Sequence, residues 1–226
     1  MKHKSIAIDG PSGAGKSTLA KALAEALGFL YVDTGAIYRT VGLRAFRAGA
    51  DPSDPAAVVP LLEGLDIGMR HAGDGLQRMY LNGEDVTEAI RRHEISAYAS
   101  AVSAIPAVRA FLLEQQRSLA REHDVVMDGR DIGTVVLPEA DVKIFLTAAP
   151  EVRARRRWLE LKQRGQETGF DTVLRDVLAR DEQDTHRSAA PLRQAEDAVL
   201  ADTTDKDLEQ SLALLTQIAK ERLEHG

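Results

Sequence analysis

Gly10-Pro11-Ser12-Gly13-Ala14-Gly15-Lys16-Ser17 is the stretch whose reading decides the fold. It fits the pattern G-x-x-x-x-G-K-[ST], and its flanks fit as well. Before it, Ser5–Asp9 reads as a short buried strand; after it, Leu19, Ala20, Leu23, Ala24 and Leu27 recur at helical spacing over Lys16–Leu27, with Gly28 as the stop. Glycines let a backbone curl until several N–H groups converge on phosphate oxygens, and the following helix N-terminus adds partial positive charge. Gly10, Pro11, Ser12, Gly13, Ala14, Gly15, Lys16, Ser17 and Thr18 are therefore the candidate ATP site. Lys16 would span the β- and γ-phosphates, and Ser17 would offer its hydroxyl to Mg²⁺. Because Lys16 is to face phosphates, it is expected outside the core. The competing reading is a glycine turn that only joins strand to helix, and the agreement of motif with flanks weighs against it.

Outward from the loop, strands and helices alternate. Phe29–Val32 predicts a strand and Ala36–Ala48 a helix, and the pattern breaks around Pro52–Pro60. Leu65–Arg70 and Gln77–Leu81, with Asn82-Gly83 just beyond, predict a small antiparallel unit with a tight turn. Pro106 opens a long helix with Val108, Phe111, Leu112 and Leu119 on one face. Asp124–Asp128 and Val142–Leu146 are further strands, two or three helices fill 151–184, Ala198–Leu200 is a last strand, and a final helix uses Leu208, Leu212 and Leu215. This rhythm predicts an α/β fold, a parallel sheet covered by helices on both faces, with the piece near 62–101 as an insertion.

Composition removes several function classes. A chain of 226 residues with 44% hydrophobic and 28% charged residues suits one globular domain. The absence of cysteine excludes disulfides and thiolate metal sites. The apolar run after the first four residues is too short for a signal peptide, and none reaches a membrane-spanning length of about 18 residues, so a cytoplasmic protein without membrane contact is expected. A net charge of −6 speaks against general nucleic-acid binding, though not against a small anion held by clustered arginines. The six histidines have no metal-ligand spacing, and none looks like a general base.

A second element is Val125-Val126-Met127-Asp128-Gly129-Arg130-Asp131. An apolar strand ending in Asp is where a nucleotide-binding sheet places a carboxylate for Mg²⁺, directly or through water; an Asp-Gly turn is the plainer alternative. No Asn/Thr-Lys-x-Asp guanine reader is present, since Thr204-Asp205-Lys206-Asp207 has the letters in the wrong order. There is instead a second polar set: Asp33–Arg39, the pair Ser100 and Arg109, and Arg180–Arg187.

The loop Asp9–Thr18, the stretch Asp33–Arg39, the element Asp128–Gly133 and the run Arg180–Leu192 together resemble bacterial cytidylate kinases, in the same order along nearly the whole chain. The resemblance implies one nucleoside monophosphate kinase domain over 1–226: a P-loop NTPase-type core, a small α+β monophosphate-binding insertion at about 62–101, and a short helical lid at about 151–166. It implies Thr34, Ser100, Arg109 and Asp131 as the pyrimidine site, Arg39, Arg130 and Arg187 as ligands of the acceptor phosphate, and Arg180 and Asp184 as readers of the sugar hydroxyls. Lys16, Arg130 and Arg187 would be the catalytic charges, Ser17 and Asp128 the Mg²⁺ side, and Arg153, Arg155, Arg156 and Arg157 a lid group without individual roles. ATP and CMP or dCMP would be the partners of a monomer in pyrimidine metabolism.

Plainer readings stand beside these. Arg109 would otherwise be an exposed helix arginine, Ser96, Ser100 and Ser103 ordinary polar positions, and Trp158 packing. The run 153–157 would be a solvated helix face or an RNA patch. A kinase of another small anion, or a nucleotide-binding module without catalysis, are the rival functions. Only the pyrimidine-reading residues oppose the first. The second would leave the basic helix at 153–164 without a purpose.

Overall fold

The computed structural model describes residues 3–71, 77–163 and 165–225. The expected insertion at 62–101 includes 72–76, the expected lid includes Arg164, and the span 1–226 includes 1, 2 and 226; these lie outside the described residues. In chain order the elements are β1 (Ser5–Asp9), α1 (Lys16–Leu27), β2 (Leu30–Asp33), α2 (Thr34–Arg47), α3 (Pro55–Val58), β3 (Ile67–His71), β4 (Gln77–Leu81), β5 (Glu84–Asp85), α4 (His93–Val102), α5 (Pro106–Glu122), β6 (Val125–Gly129), β7 (Val142–Thr147), α6 (Pro150–Gln163), α7 (Phe170–His186), β8 (Val199–Asp202) and α8 (Leu208–His225). Short 3₁₀ turns occupy Val59–Leu62 and Ala89–Arg91, and a π turn occupies Ile132–Val136. The chain forms two compact units, one running to Leu30 and resuming at His123, the other Tyr31–Glu122.

The first unit is built on a parallel sheet. Strand order is β2-β6-β1-β7-β8, with β1 pairing β6 and β7, and β7 pairing β8, all parallel. β1, β6, β7 and β8 belong to this unit, while β2 starts at the unit's last residue before the break, Leu30, and continues as the first residues of the second. β2 enters at Leu30, whose N–H donates to the Asp124 carbonyl at 2.8 Å. All five residues of β1 and all five of β6 are buried, as strands covered by helices on both faces must be. α1 lays Leu19, Ala20, Leu23 and Ala24 into this core and stops at Gly28, a left-handed cap with φ 70°. Chain order reverses direction around β1, so the loops after β1 and β6 lie at the switch point where open α/β sheets bind ligands.

The second unit holds the antiparallel sheet β3-β4-β5 against helices. The Asn82-Gly83 turn joins Leu81 to Glu84 with φ 50° and 84°, the two positive values a type I′ hairpin needs. α2 and α4 cross so closely at Gly42 that a Cβ there would lie 2.9 Å from the Ala99 nitrogen.

Several expectations shift. Phe29 stays outside β2, which ends at Asp33, and α2 begins at Thr34 because the Asp33 side chain caps it by accepting from the Ala36 N–H at 2.9 Å. The break at Pro52–Pro60 contains α3, opened by an Asp54 cap with Pro55 behind it. Two helices fill 151–184. Phe111 and Leu208, which share helix faces with Leu112 and Leu215, are 39% and 58% exposed: helical spacing names a face but not how far its rim is covered. Among the described residues no single helix is long and apolar enough to cross a membrane.

Candidate active site

The phosphate loop leaves β1 at Gly10, where a Cβ would run into the Leu146 carbonyl oxygen, so no larger residue fits. Gly13 and Gly15 have φ 74° and 89°, and Gly15 stands at the N-cap of α1 with no side chain capping it. Lys16 is a correction to the sequence reading: it is buried, 6% exposed, with Nζ donating to the Pro11 carbonyl at 2.7 Å. Burial and the neighbouring Arg130 charge push its ammonium well below the ordinary lysine value. Ser17 and Thr18 are exposed on the first turn of α1. Ser17 Oγ donates to Asp128 Oδ2 at 3.0 Å, and Asp128 is buried near the end of β6 in register with Ile8. One hydroxyl and one carboxylate are the hard-oxygen donors that suit Mg²⁺ when phosphates and water complete its octahedron. Among the described residues no group of three or more His, Asp or Glu forms a cage for a metal.

Beyond β6 lies a cluster of charges. Arg130 Nε donates to Asp184 Oδ2 at 2.7 Å. Arg187 Nη1 is 3.9 Å from Asp184 Oδ1, its Nη2 is 3.6 Å from Asp131 Oδ1, and its Nε donates to the Ala190 carbonyl at 2.8 Å. Arg180 stands one turn before Asp184 on α7, and its charge acts on Asp184. Burial pushes the Asp184 carboxyl up, but Arg130, Arg180 and Arg187 together outweigh it and hold the carboxyl below its ordinary value. The structure thus brings Arg130, Asp131, Asp184 and Arg187 into one network, its two carboxylates buried and Arg130 partly exposed.

Asp9 is a site-shaping residue that the sequence reading left without a role. Its Oδ1 accepts from the Ile132 N–H at 2.8 Å and its Oδ2 from the Gly133 N–H at 2.7 Å, fixing the turn that follows Asp131. Desolvation still dominates and raises its carboxyl to about 6.

The four arginines of α6 separate. Arg153 is 4% exposed and turned inward: Nε donates to the Ala148 carbonyl at 2.8 Å, Nη1 to the Ser12 carbonyl at 2.9 Å, and Nη2 pairs with Asp181 Oδ2 at 2.6 Å. Arg156 donates to the carbonyls of Ala14 at 3.3 Å and Thr203 at 2.8 Å. Arg157 pairs with Glu160 at 2.8 Å, and Arg155 is exposed. Trp158 packs, as expected, against the cluster of Ala154, Leu161, Val173 and Val177, and its Nε1 donates to the Thr168 carbonyl at 2.9 Å.

In the second unit, Thr34 is buried and Arg39 lies 3.6 Å from the capping carboxylate of Asp33. Gln77 grips the Asp33 peptide from both sides, accepting from its N–H at 2.8 Å and donating to its carbonyl at 3.2 Å. Arg109 is more than an exposed helix arginine: it stacks 5.4 Å above the Tyr38 ring, and its Nη1 donates to the Ser103 carbonyl at 3.1 Å. Ser103 Oγ in turn donates to the Ser100 carbonyl at 2.8 Å. Ser100, Ser103, Arg109 and Tyr38 are thereby one connected group.

A sequence model of the family described as cytidylate kinase matches residues 6–221. The chain belongs to the cytidylate kinase family. It is 52% identical to a cytidylate kinase of Geobacter sulfurreducens, covering 96% of this chain and 93% of that one. It is 49% identical to a cytidylate kinase of Caldicellulosiruptor bescii, covering 96% of each. Among solved structures, an uncharacterized protein from Eubacterium ventriosum superposes with a TM-score of 0.51 at 13% identity over 100% of both chains, a likeness of fold alone. In this cytidylate kinase chain the sequence marks Gln77 only as the start of a strand and Asp181 only as a member of the polar run Arg180–Arg187, with no role for either. Their partners lie far along the sequence, the Asp33 peptide for Gln77 and the Arg153 guanidinium for Asp181.

Proposed function

We propose that the chain transfers the γ-phosphoryl of ATP to the 5′-phosphate of CMP or dCMP, giving ADP and CDP or dCDP. The observation that supports this best lies at one end of the sheet. The phosphate loop after β1 and the Arg130–Asp184–Arg187 network after β6 follow neighbouring, in-register strands, so a donor-phosphate cradle adjoins a cationic network suited to a second anion. Phosphoryl transfer through a loose transition state asks little covalent chemistry of the protein; it asks for alignment and for positive charge on the migrating group.

The roles follow from the residues. The backbone of Gly10–Thr18 would hold the triphosphate, and the phosphate charge would restore the Lys16 ammonium that burial disfavours. Ser17 and Asp128 would hold Mg²⁺, which when bound neutralises phosphate charge. Arg130, Arg187 and Arg39 would take the acceptor phosphate, and Arg180 and Asp184 the sugar hydroxyls. Thr34, Ser100, Arg109 and Asp131 would read the pyrimidine. Residues 62–101 would be the monophosphate-binding insertion and 151–166 the lid, whose closure excludes water as a competing acceptor. The substrates place such an enzyme in the cytoplasm, and we take it to be a monomer, which light scattering tests.

The decisive assay offers MgATP with CMP, dCMP, UMP, AMP, GMP and shikimate in turn. CMP and dCMP should turn over far faster than the rest, and ATP hydrolysis without an acceptor should be slow. Equal turnover of AMP or GMP would overturn the assignment.

A further inference from the structure

We propose that Arg153 is a positioning residue that sets the phosphate loop and ties it to α7, rather than a lid ligand of the triphosphate. The proposal rests on the reading that Gly10–Thr18 bind ATP. All three guanidinium nitrogens are already committed, to the carbonyls of Ala148 and Ser12 and to Asp181, and the side chain is 4% exposed. Three of its five N–H donors are thus spent on protein acceptors, and a side chain so enclosed offers a phosphate little room to approach the rest.

Its grip on the Ser12 carbonyl has a geometric consequence. In a planar trans peptide the C=O and N–H point in opposite directions, so holding the Ser12 oxygen on the Arg153 side directs the Gly13 N–H to the other side. The loop is also seated sterically, since a Cβ on Gly13 would lie 3.0 Å from the Arg153 carbonyl oxygen and 3.1 Å from its Cβ. Arg156 treats the Ala14 carbonyl the same way at 3.3 Å. Together the two arginines hold alternate carbonyls of the loop, which turns the N–H groups of Gly13 and Gly15 away from α6.

The third arm of Arg153 reaches Asp181, which sits between Arg180 and Asp184 on α7. Ser12, Arg153 and Asp181 thus form a chain of contacts from the donor-phosphate loop to the helix carrying Arg180, Asp184 and the neighbouring Arg187. A planar fork with fixed donor directions can serve three acceptors at once in this way, and a lysine cannot.

A double-variant cycle tests the proposal, using the full chain with CMP as acceptor, together with calorimetric binding of ATP. Asp181→Asn, which touches no nucleotide in this scheme, should raise KM for ATP about fivefold. Arg153→Met should raise it more, the double variant should be no worse than Arg153→Met alone, and Arg153→Lys should not rescue. A direct phosphate ligand would behave otherwise: Asp181→Asn would leave KM for ATP unchanged, and Arg153→Lys would keep most activity. A purely structural arginine would lower Tm while leaving ATP affinity at 25 °C unchanged. Any of these results overturns the proposal. Should Arg153→Met fail to fold, Asp181→Asn and Arg153→Lys carry the test. If the unaltered chain fails to phosphorylate CMP, the kinase reading is what fails, and the calorimetric arm still judges Arg153.

Discussion

The phosphate loop and the Arg130–Asp131–Asp184–Arg187 network both meet anions with positive charge, but they assemble it by opposite means. The loop uses consecutive residues, main-chain N–H groups and a single ammonium, shaped by Gly10, Gly13 and Gly15. The network draws side chains from two segments some fifty residues apart and pairs them before any ligand arrives, Arg130 with Asp184 at 2.7 Å and Arg187 with Asp131 at 3.6 Å. Main-chain dipoles can be pointed inward at little desolvation cost, whereas buried guanidinium groups need carboxylate partners. The network's aspartates are therefore both counter-ions for its arginines and candidate readers of a substrate.

The loop side should show the largest single effect. Lys16→Met removes a cation from the migrating phosphoryl and should cost several kcal/mol of barrier, about a thousandfold or more in turnover. Because Lys16 is buried beside Arg130, its loss also removes a like-charge repulsion and an expensive desolvation, so Tm should hold or rise. Near wild-type turnover in the folded variant would remove the loop from the chemistry.

The same contrast explains what was legible in the sequence. β1 and α1 were readable to the residue, because Ser5–Asp9, the glycines and the Leu19–Leu23–Leu27 spacing are local signals. The letters of Arg130, Asp184 and Arg187 were visible through resemblance, but their pairing was not. Four arginines in one run look alike until packing turns Arg153 inward and leaves Arg155 outside. The Asp9 bonds to Ile132 and Gly133 bridge more than a hundred residues, which no window along the chain can detect. The exposure of Phe111 and Leu208 was hidden for a related reason: periodicity is local, whereas burial is decided by what packs against the face.

Stability against pH separates the two kinds of buried carboxylate. Asp9, with main-chain partners, is raised from 3.8 to about 6, so the folded state binds its proton more tightly than the unfolded state does. Its contribution is most favourable below the unfolded value and declines as pH rises through the window up to about 6. The decline is roughly 3 kcal/mol at ~1.4 kcal/mol per pK step. Asp184, with arginine partners, is lowered, so its contribution is present above 3.8 and lost as pH falls below that value. Urea titrations across pH should show wild type losing stability relative to Asp9→Asn between pH 4 and about 6. A flat difference would mean that Asp9 is not raised by burial.

Within the network, Asp184→Ala should damage the acceptor side more than the donor side. Removing a charged hydrogen-bond acceptor costs about 1.5–3 kcal/mol, so KM for CMP should rise roughly 10- to 100-fold, with KM for ATP within about twofold. The structure sharpens the expectation, because Arg130 and Arg187 lose their shared carboxylate and shift from the positions that would meet the acceptor. An equal rise in both constants would contradict the assignment of Asp184 to the monophosphate.

The smallest effect is the most specific. Cytosine presents an amino donor at N4 and an acceptor at N3; uracil presents an acceptor at O4 and a donor at N3. A carboxylate at Asp131 can accept from the cytosine amino group but meets uracil O4 with like polarity. An arginine at Arg109 can donate to N3 of cytosine but meets an N–H in uracil. Attraction to one base and repulsion of the other is how a site gains discrimination beyond what a missing contact provides. Asp131 is buried, and its position is set from two sides: by Arg187 at 3.6 Å, and by the turn that Asp9 holds at Ile132 and Gly133. Asp131→Ala should therefore lower kcat/KM for CMP while sparing UMP, because the repulsion leaves together with the attraction. The CMP/UMP ratio should narrow by about tenfold, close to 1.4 kcal/mol. If the ratio is unchanged while Tm falls, Asp131 serves Arg187 as a counter-ion only, and base reading passes to Ser100 and Arg109.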